Sequence, residues 1–285
     1  MIQKLDLFAK MYEEAINKGD VNIARIHEEL FSRELEHILL NYNPNDIVES
    51  FIDIIKPKTF PTISVKKNEI FYRARRGHDT VSGAIDDCDG TFVMPHHAHD
   101  IEKVPPMLAP GGRFNRSGTS FLYIASDVHT AIAEVHAQVG EICSIGTFCC
   151  KKDITLINLS DKAKSPKINL WCNVILQPIY PEKLHIYKLT QFVTDVFVQS
   201  GMRGFYFNSV QTDTGKNVVC FANDVFELEK YSEKLYYIKK VSYAIEEYKD
   251  WTEKIDVKLL NSYNSEEDEE RDRKIDYLAT LVKNK

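Results

Sequence analysis

The segment Gly111–Ala137 reads GGRFNRSGTSFLYIASDVHTAIAEVHA and changes character three times in 27 residues. Gly111-Gly112-Arg113-Phe114-Asn115 has turn composition, with two glycines and an asparagine. The alternation that follows puts Phe121, Tyr123 and Ala125 on one face of a strand and Leu122 and Ile124 on the other. Asp127 then opens a helix expected to run to Gln138, with Ala131 and Val135 on its packing stripe and Glu134 beside it. A turn, a strand and a helix in such close order bring Arg113, Tyr123 and Glu134 toward one place.

Outward from this segment, two kinds of pattern appear. Upstream, Leu5 to about Ile55 carries apolar residues at helical spacing: Phe8, Met11, Tyr12 and Ala15, then Ile23, Ile26, Leu30 and Phe31, then Leu35, Ile38 and Leu39. Gly19-Asp20 divides the first two helices, Asn43-Pro44 starts a third, and Pro57 stops it. After Pro61 come short aromatic and β-branched runs: 69–75, 119–126, 143–150, 154–159, 203–210 and 217–221. A helix over 187–199 ends at Ser200-Gly201, and a further β-rich run covers 225–243. The stretch from Gly77 to Gly112 has no sustained period and reads as a long loop. The expected fold class is α+β, in three parts. Residues 1–65 form a helical region, 66–245 the main domain, and 246–285 an acidic, helical extension containing SEEDEERDRKIDY.

The 285 residues hold 36 Lys+Arg against 42 Asp+Glu, a formal charge of −6 that argues against a nucleic-acid coat or a polybasic membrane anchor. At 44% hydrophobic and 27% charged, the composition is that of a soluble globular chain. No signal core opens the sequence and no run of about 18 apolar residues occurs, so a cytoplasmic location is expected. Six cysteines, at 88, 143, 149, 150, 172 and 220, form no CxxC pair and indicate neither a disulfide scaffold nor a zinc ribbon.

The familiar nucleotide motifs fail: 111–118 has neither GxGxxG spacing nor a GK[ST] ending. Asp86-Asp87-Cys88-Asp89-Gly90 lacks the alternating acids of a calcium loop, because position 85 is Ile85. His96-His97-Ala98-His99 reads as a polar surface loop, since three imidazoles in four loop residues cannot all reach one ion, and no metal is expected. What remains is Tyr72-Arg73-Ala74-Arg75 on a strand, Arg113 in its turn, Tyr123 behind it and Glu134 in the helix. Two guanidinium forks suit a pyrophosphate, although a surface salt bridge would account for either arginine alone. Ser209 closes GFYFNSV, and Gln211–Asn217 connects hairpin-fashion into VVCF.

The order of these residues resembles the RES domain family, from about Ile70 to Phe226. Carrying the resemblance are the aromatic-Arg strand, GGRFN with a Tyr strand behind it, the A-x-x-E helix and the distal F-x-S to N-x-V-x-F hairpin. It implies a fold similar to ADP-ribosyltransferases, a split, mainly antiparallel sheet holding NAD+ in a central cleft. It also implies an enzyme that degrades NAD+ as a phosphorylase or glycohydrolase, acting as a toxin or defence effector held by a cognate antitoxin or immunity protein. NAD+ is then a substrate, with inorganic phosphate as the co-substrate of a phosphorylase, and no cofactor is permanently bound. Mapped onto this sequence, Arg73, Glu134 and Ser209 would be catalytic. Tyr72, Arg73, Arg113, Tyr123, Ser209 and Asn217 would hold the dinucleotide. A shift of the first arginine to Arg75 or Arg76 is the alternative alignment. Two other functions fit the same cleft: ADP-ribosyl transfer to a protein or nucleic acid, and nucleotide sensing without catalysis. The N-terminal helices are left for docking a partner, forming a homo-oligomer or restraining the enzyme.

Overall fold

The computed structural model describes residues 2–85, 88–160, 163–177, 186–243 and 245. Met1–Lys240 forms one compact unit and Val241–Lys285 a second; the acidic helix expected in 246–285 lies outside the described residues.

Three helices come first: α1 (Ile2–Asn17), α2 (Val21–Asn41) and α3 (Pro44–Ile55). Their boundaries follow from local chemistry. The Asp20 side chain accepts from the Ile23 amide at 3.0 Å, and Asn43 caps α3, whose first residue is Pro44. Lys56 takes a left-handed conformation, φ 52°, and ends α3 immediately before Pro57.

Among the described residues a nine-stranded sheet follows. Its strands are β1 (Thr62–Val65), β2 (Ile70–Arg76), β5 (Leu122–Ala125), β6 (Ile142–Cys150), β7 (Ile154–Asn158), β8 (Gly204–Asn208), β9 (Lys216–Cys220), β10 (Phe226–Leu228) and β11 (Lys234–Tyr237). They run in the order β1-β7-β8-β9-β5-β2-β6-β10, with β11 also on β6. Every pairing is antiparallel except β7 with β8. β2 and β5 share a single registered pair, Tyr72 with Ala125, so the sheet parts between them. The fold is α+β, with helices at the N-terminus and a mainly antiparallel, split sheet, as the sequence leads one to expect.

Both faces of the sheet are packed. On one, α1 to α3 join α5 (Pro166–Leu176) and α6 (Ile186–Gln199) over Phe114, Phe121, Phe205 and Val219. Phe31 meets Trp171 edge-on at 4.9 Å and Phe51 meets Phe192 at 4.9 Å, tying α2 to α5 and α3 to α6. Burying one such side chain contributes about 1.5–3 kcal/mol, so the N-terminal helices are fastened by several anchors. The other face gathers Phe71, Leu122, Ile124, Phe148 and Val218. Tyr123 packs toward the helical layer while Leu122 and Ile124 face the opposite core, as alternation requires.

The structure departs from the sequence reading at several places. Residues 77–112 are not one loop: β3 (Asp79–Ile85) and β4 (Cys88–Met94) pair as a two-stranded sheet. Val81, Phe92 and Val93 remain exposed on it, so no buried face imposes the alternation that marks a strand. The helix expected over 127–138 is shorter, α4 (Val128–Glu134), and His136 at φ 52° turns the chain out of it. Glu134 is therefore its last helical residue. The run 225–243 resolves into β10 and β11. β1 and α5 had no counterpart in the reading.

Candidate active site

Where β2 and β5 part, a cleft of about 690 Å³ opens, lined from β2, β5, β8, β9, α4 and the turn at Gly112–Asn115. Tyr72, Arg73, Arg113, Tyr123, Glu134 and Asn217 all line it.

The turn that delivers Arg113 is held by Asn115, which is 6% exposed. Its amide donates to the carbonyls of Pro110 at 2.9 Å and Thr119 at 2.8 Å, while its Oδ1 accepts from the Tyr123 hydroxyl at 2.7 Å. A Cβ at position 112 would lie 2.8 Å from that Oδ1, so Gly112 serves this internal bond. From α6, Gln191 donates to the Gly112 carbonyl at 2.7 Å. Arg113 itself donates to the Gln177 carbonyl at 3.2 Å and stays half-buried. Burial pulls its pKa down, while Tyr187 and Glu134 act the other way.

Arg73 donates to the main-chain carbonyl of Tyr123 at 3.2 Å, bridging the parted strands. Its Nε is buried without a partner among the described residues. Burial, reinforced by the charge of Arg75, lowers its pKa to about 10, so it is still a cation at neutral pH. Arg75 lies outside the cleft lining and donates to the Glu102 carbonyl at 3.0 Å. Tyr123 is half-buried, its loss of solvent raises the phenol pKa, and its hydroxyl is spent on Asn115 and the Phe114 amide.

Glu134 is not the freely solvated acid that a helical glutamate suggests. Its Oε1 accepts from the Ser209 hydroxyl at 2.6 Å and from Asn217 Nδ2 at 2.7 Å. Oε2 has no hydrogen bond among the described residues. Ser209 is absent from the cleft wall and is 8% exposed, so it stands behind the carboxylate. The loop bearing Ser209 is tied to α4: Thr130 and Thr212 approach at 3.1 Å, Asp127 accepts from the Thr130 hydroxyl at 2.7 Å, and Ser126 accepts from the Lys216 amide at 3.0 Å. Only glycine fits at position 215, because a Cβ there would lie 2.0 Å from Thr130 Oγ1. Asn115, Asp127 and Thr130 were not singled out from sequence; the signal for Asn115 was its place in a glycine-rich turn.

Two guanidinium groups and one carboxylate thus share a cleft. Such a set can grip a diphosphate and face a developing cation.

Comparison with known proteins gives two results. The family model of the RES domain matches residues 92–240, just over half of the chain, including Arg113, Tyr123, Glu134, Ser209 and Asn217 but not Tyr72 or Arg73. A crystal structure of the M. tuberculosis MbcT–MbcA toxin–antitoxin complex aligns with 66% of this chain and 93% of that chain at 14% identity, with a TM-score of 0.42. No curated protein matches the sequence.

Proposed function

The chain belongs to the RES domain family, and we propose that it is an NAD+-degrading enzyme that cleaves the bond between nicotinamide and ribose. The observation that carries this reading is the Glu134 carboxylate, oriented by Ser209 and Asn217 in the same cleft as Arg73 and Arg113.

The chemistry follows from the residue types. Arg73 and Arg113 hold the pyrophosphate through paired N–H donors. As the glycosidic bond lengthens, positive charge develops on the ribose, and a fixed carboxylate beside it lowers the barrier. The pyridinium leaves as neutral nicotinamide and needs no general acid. Fixing Oε1 with two donors leaves Oε2 for the ribose, and Ser209 is then a positioning residue. The acceptor is water or inorganic phosphate, giving a glycohydrolase or a phosphorylase. In a cell such an enzyme depletes NAD+ and acts as a toxin, so an antitoxin is its expected partner. No described helix is long and apolar enough to cross a membrane.

Incubating the pure chain with NAD+, with and without phosphate, and identifying products by mass tests this directly. Free nicotinamide is expected. A mass increase on a protein with no free ADP-ribose would mean transfer to a macromolecule instead.

A further inference from the structure

The turn that carries Arg113 is held by two sets of bonds of different reach. One set runs within residues 110–123 and fixes the shape of the turn: the bonds of Asn115, and donation from the Gly112 amide to the Asn115 carbonyl at 2.8 Å. The other set comes from α6, 77 to 79 residues later in the chain. Thr190 donates its hydroxyl to the Arg113 carbonyl, Gln191 donates to the Gly112 carbonyl at 2.7 Å, and Asp195 accepts from Arg116 Nε at 2.7 Å. Gln191 and Asp195 stand four apart on one side of the helix with Thr190 beside them, so a single helix face grips positions 112, 113 and 116.

The other side of α6 is built into the core. Phe192, Val193, Val196 and Phe197 are fully buried. Phe192 meets Phe51 of α3, while Phe197 meets Phe60 at 5.0 Å and Phe205 of β8 at 5.1 Å. A helix anchored in this way is a rigid reference, whereas a turn bonded only within itself can shift as a unit with its shape intact. Neither Thr190 nor Gln191 lines the cleft, so both reach Arg113 through the main chain of its turn. Of the several N–H donors of the Arg113 guanidinium, one is spent among the described residues, on the Gln177 carbonyl at 3.2 Å. The others suit a diphosphate only if the group is held to within about 0.5 Å of its place.

We infer that Thr190 and Gln191 are positioning residues for substrate capture: by gripping the Arg113 and Gly112 carbonyls they set where the Arg113 guanidinium stands in the cleft. The inference rests on the reading of Arg113 as a pyrophosphate ligand in the cleavage reaction, and names what holds it there. Arg113 grips the diphosphate in the bound substrate and in the transition state alike, so displacing it raises KM and spares kcat. The effect must also vanish when the guanidinium is gone, since a residue that acts only through Arg113 has nothing to act on in Arg113→Ala.

The test measures nicotinamide release from NAD+ by wild type, Gln191→Leu, Thr190→Val, Arg113→Ala and the two double variants that include Arg113→Ala, with denaturant unfolding of each alongside. Both α6 substitutions keep the approximate size of the side chain and remove its donor. Gln191→Leu and Thr190→Val should each raise KM for NAD+ about five- to tenfold, with kcat held within about twofold. In the Arg113→Ala background, either should change kcat/KM by less than about twofold. Thr190→Ser, which keeps the hydroxyl, should regain most of what Thr190→Val loses. A wild-type KM in either folded single variant, a loss confined to kcat, or an equal fold loss with and without the guanidinium would overturn the inference and leave cleavage intact. No nicotinamide from wild type would overturn the cleavage reading and this inference with it.

Discussion

Ser209 donates its hydroxyl to Oε1 of Glu134 at 2.6 Å, across 75 residues of chain, and does so from behind the cleft wall. On the proposed mechanism, a residue in that position would orient the carboxylate from outside the cleft. Ser209→Ala should therefore lower kcat by roughly tenfold, about 1.4 kcal/mol of orientation and hydrogen bonding, while KM for NAD+ changes little. Steady-state kinetics check this, and a large rise in KM would place the hydroxyl on the substrate instead.

Loss of either cleft arginine should weaken capture of the dinucleotide. A charge-assisted contact is worth about 1.5–3 kcal/mol, so Arg113→Ala and Arg73→Ala should each cut kcat/KM by roughly 10- to 150-fold. Arg75→Ala should raise KM for NAD+ far less, since Arg75 lies outside the cleft lining. Titration of NAD+ against each variant, with circular dichroism confirming the fold, tells them apart.

A methyl group at position 215 would strike Thr130 Oγ1, itself held by Asp127. Gly215→Ala should destabilise the chain by about 1–3 kcal/mol and displace the Ser209 loop. Denaturant unfolding and turnover should fall together in this variant. Normal stability and activity would show that the loop yields easily.

Phe51 is fully buried and packs edge-on against Phe192. Phe51→Ala should lower stability by about 3–5 kcal/mol. The measurement is a urea or guanidinium midpoint. A loss well under 1 kcal/mol would mean that the N-terminal helices contribute little to the core they touch.

Much of this architecture was legible because burial leaves a period in the sequence. β5 sorts Tyr123 from Leu122 and Ile124 by alternation alone, and α2 buries Phe31, Leu35 and Ile38 from its stripe, but Ile23, Ile26 and Leu30, read into the same stripe, lie exposed, with Ala24 buried instead. The β3–β4 hairpin was not legible, because Val81, Phe92 and Val93 stay exposed and no core face imposes a pattern. The order of Arg113, Tyr123, Glu134 and Ser209 was visible, but the bond from Ser209 to Glu134 is a long-range contact that no spacing encodes. His96 was read as part of a polar surface loop; its partner Asp79 lies 17 residues away, across the hairpin. Asn115 shows the same limit from the other side: its turn composition was plain, while its bond to Tyr123 needed the strand in place.

The most direct measurement is nicotinamide release from NAD+ by wild type and Glu134→Gln in parallel. The substitution keeps the shape and removes the charge, and because Oε1 has two donors, its effect on stability should stay near 1 kcal/mol. Wild type should release nicotinamide, and Glu134→Gln should do so at least about 100-fold more slowly with NAD+ binding nearly unchanged, the mark of an interaction made in the transition state. NAD+ left intact by micromolar wild-type protein after hours, or equal rates for the two proteins, would contradict a mechanism built on this carboxylate.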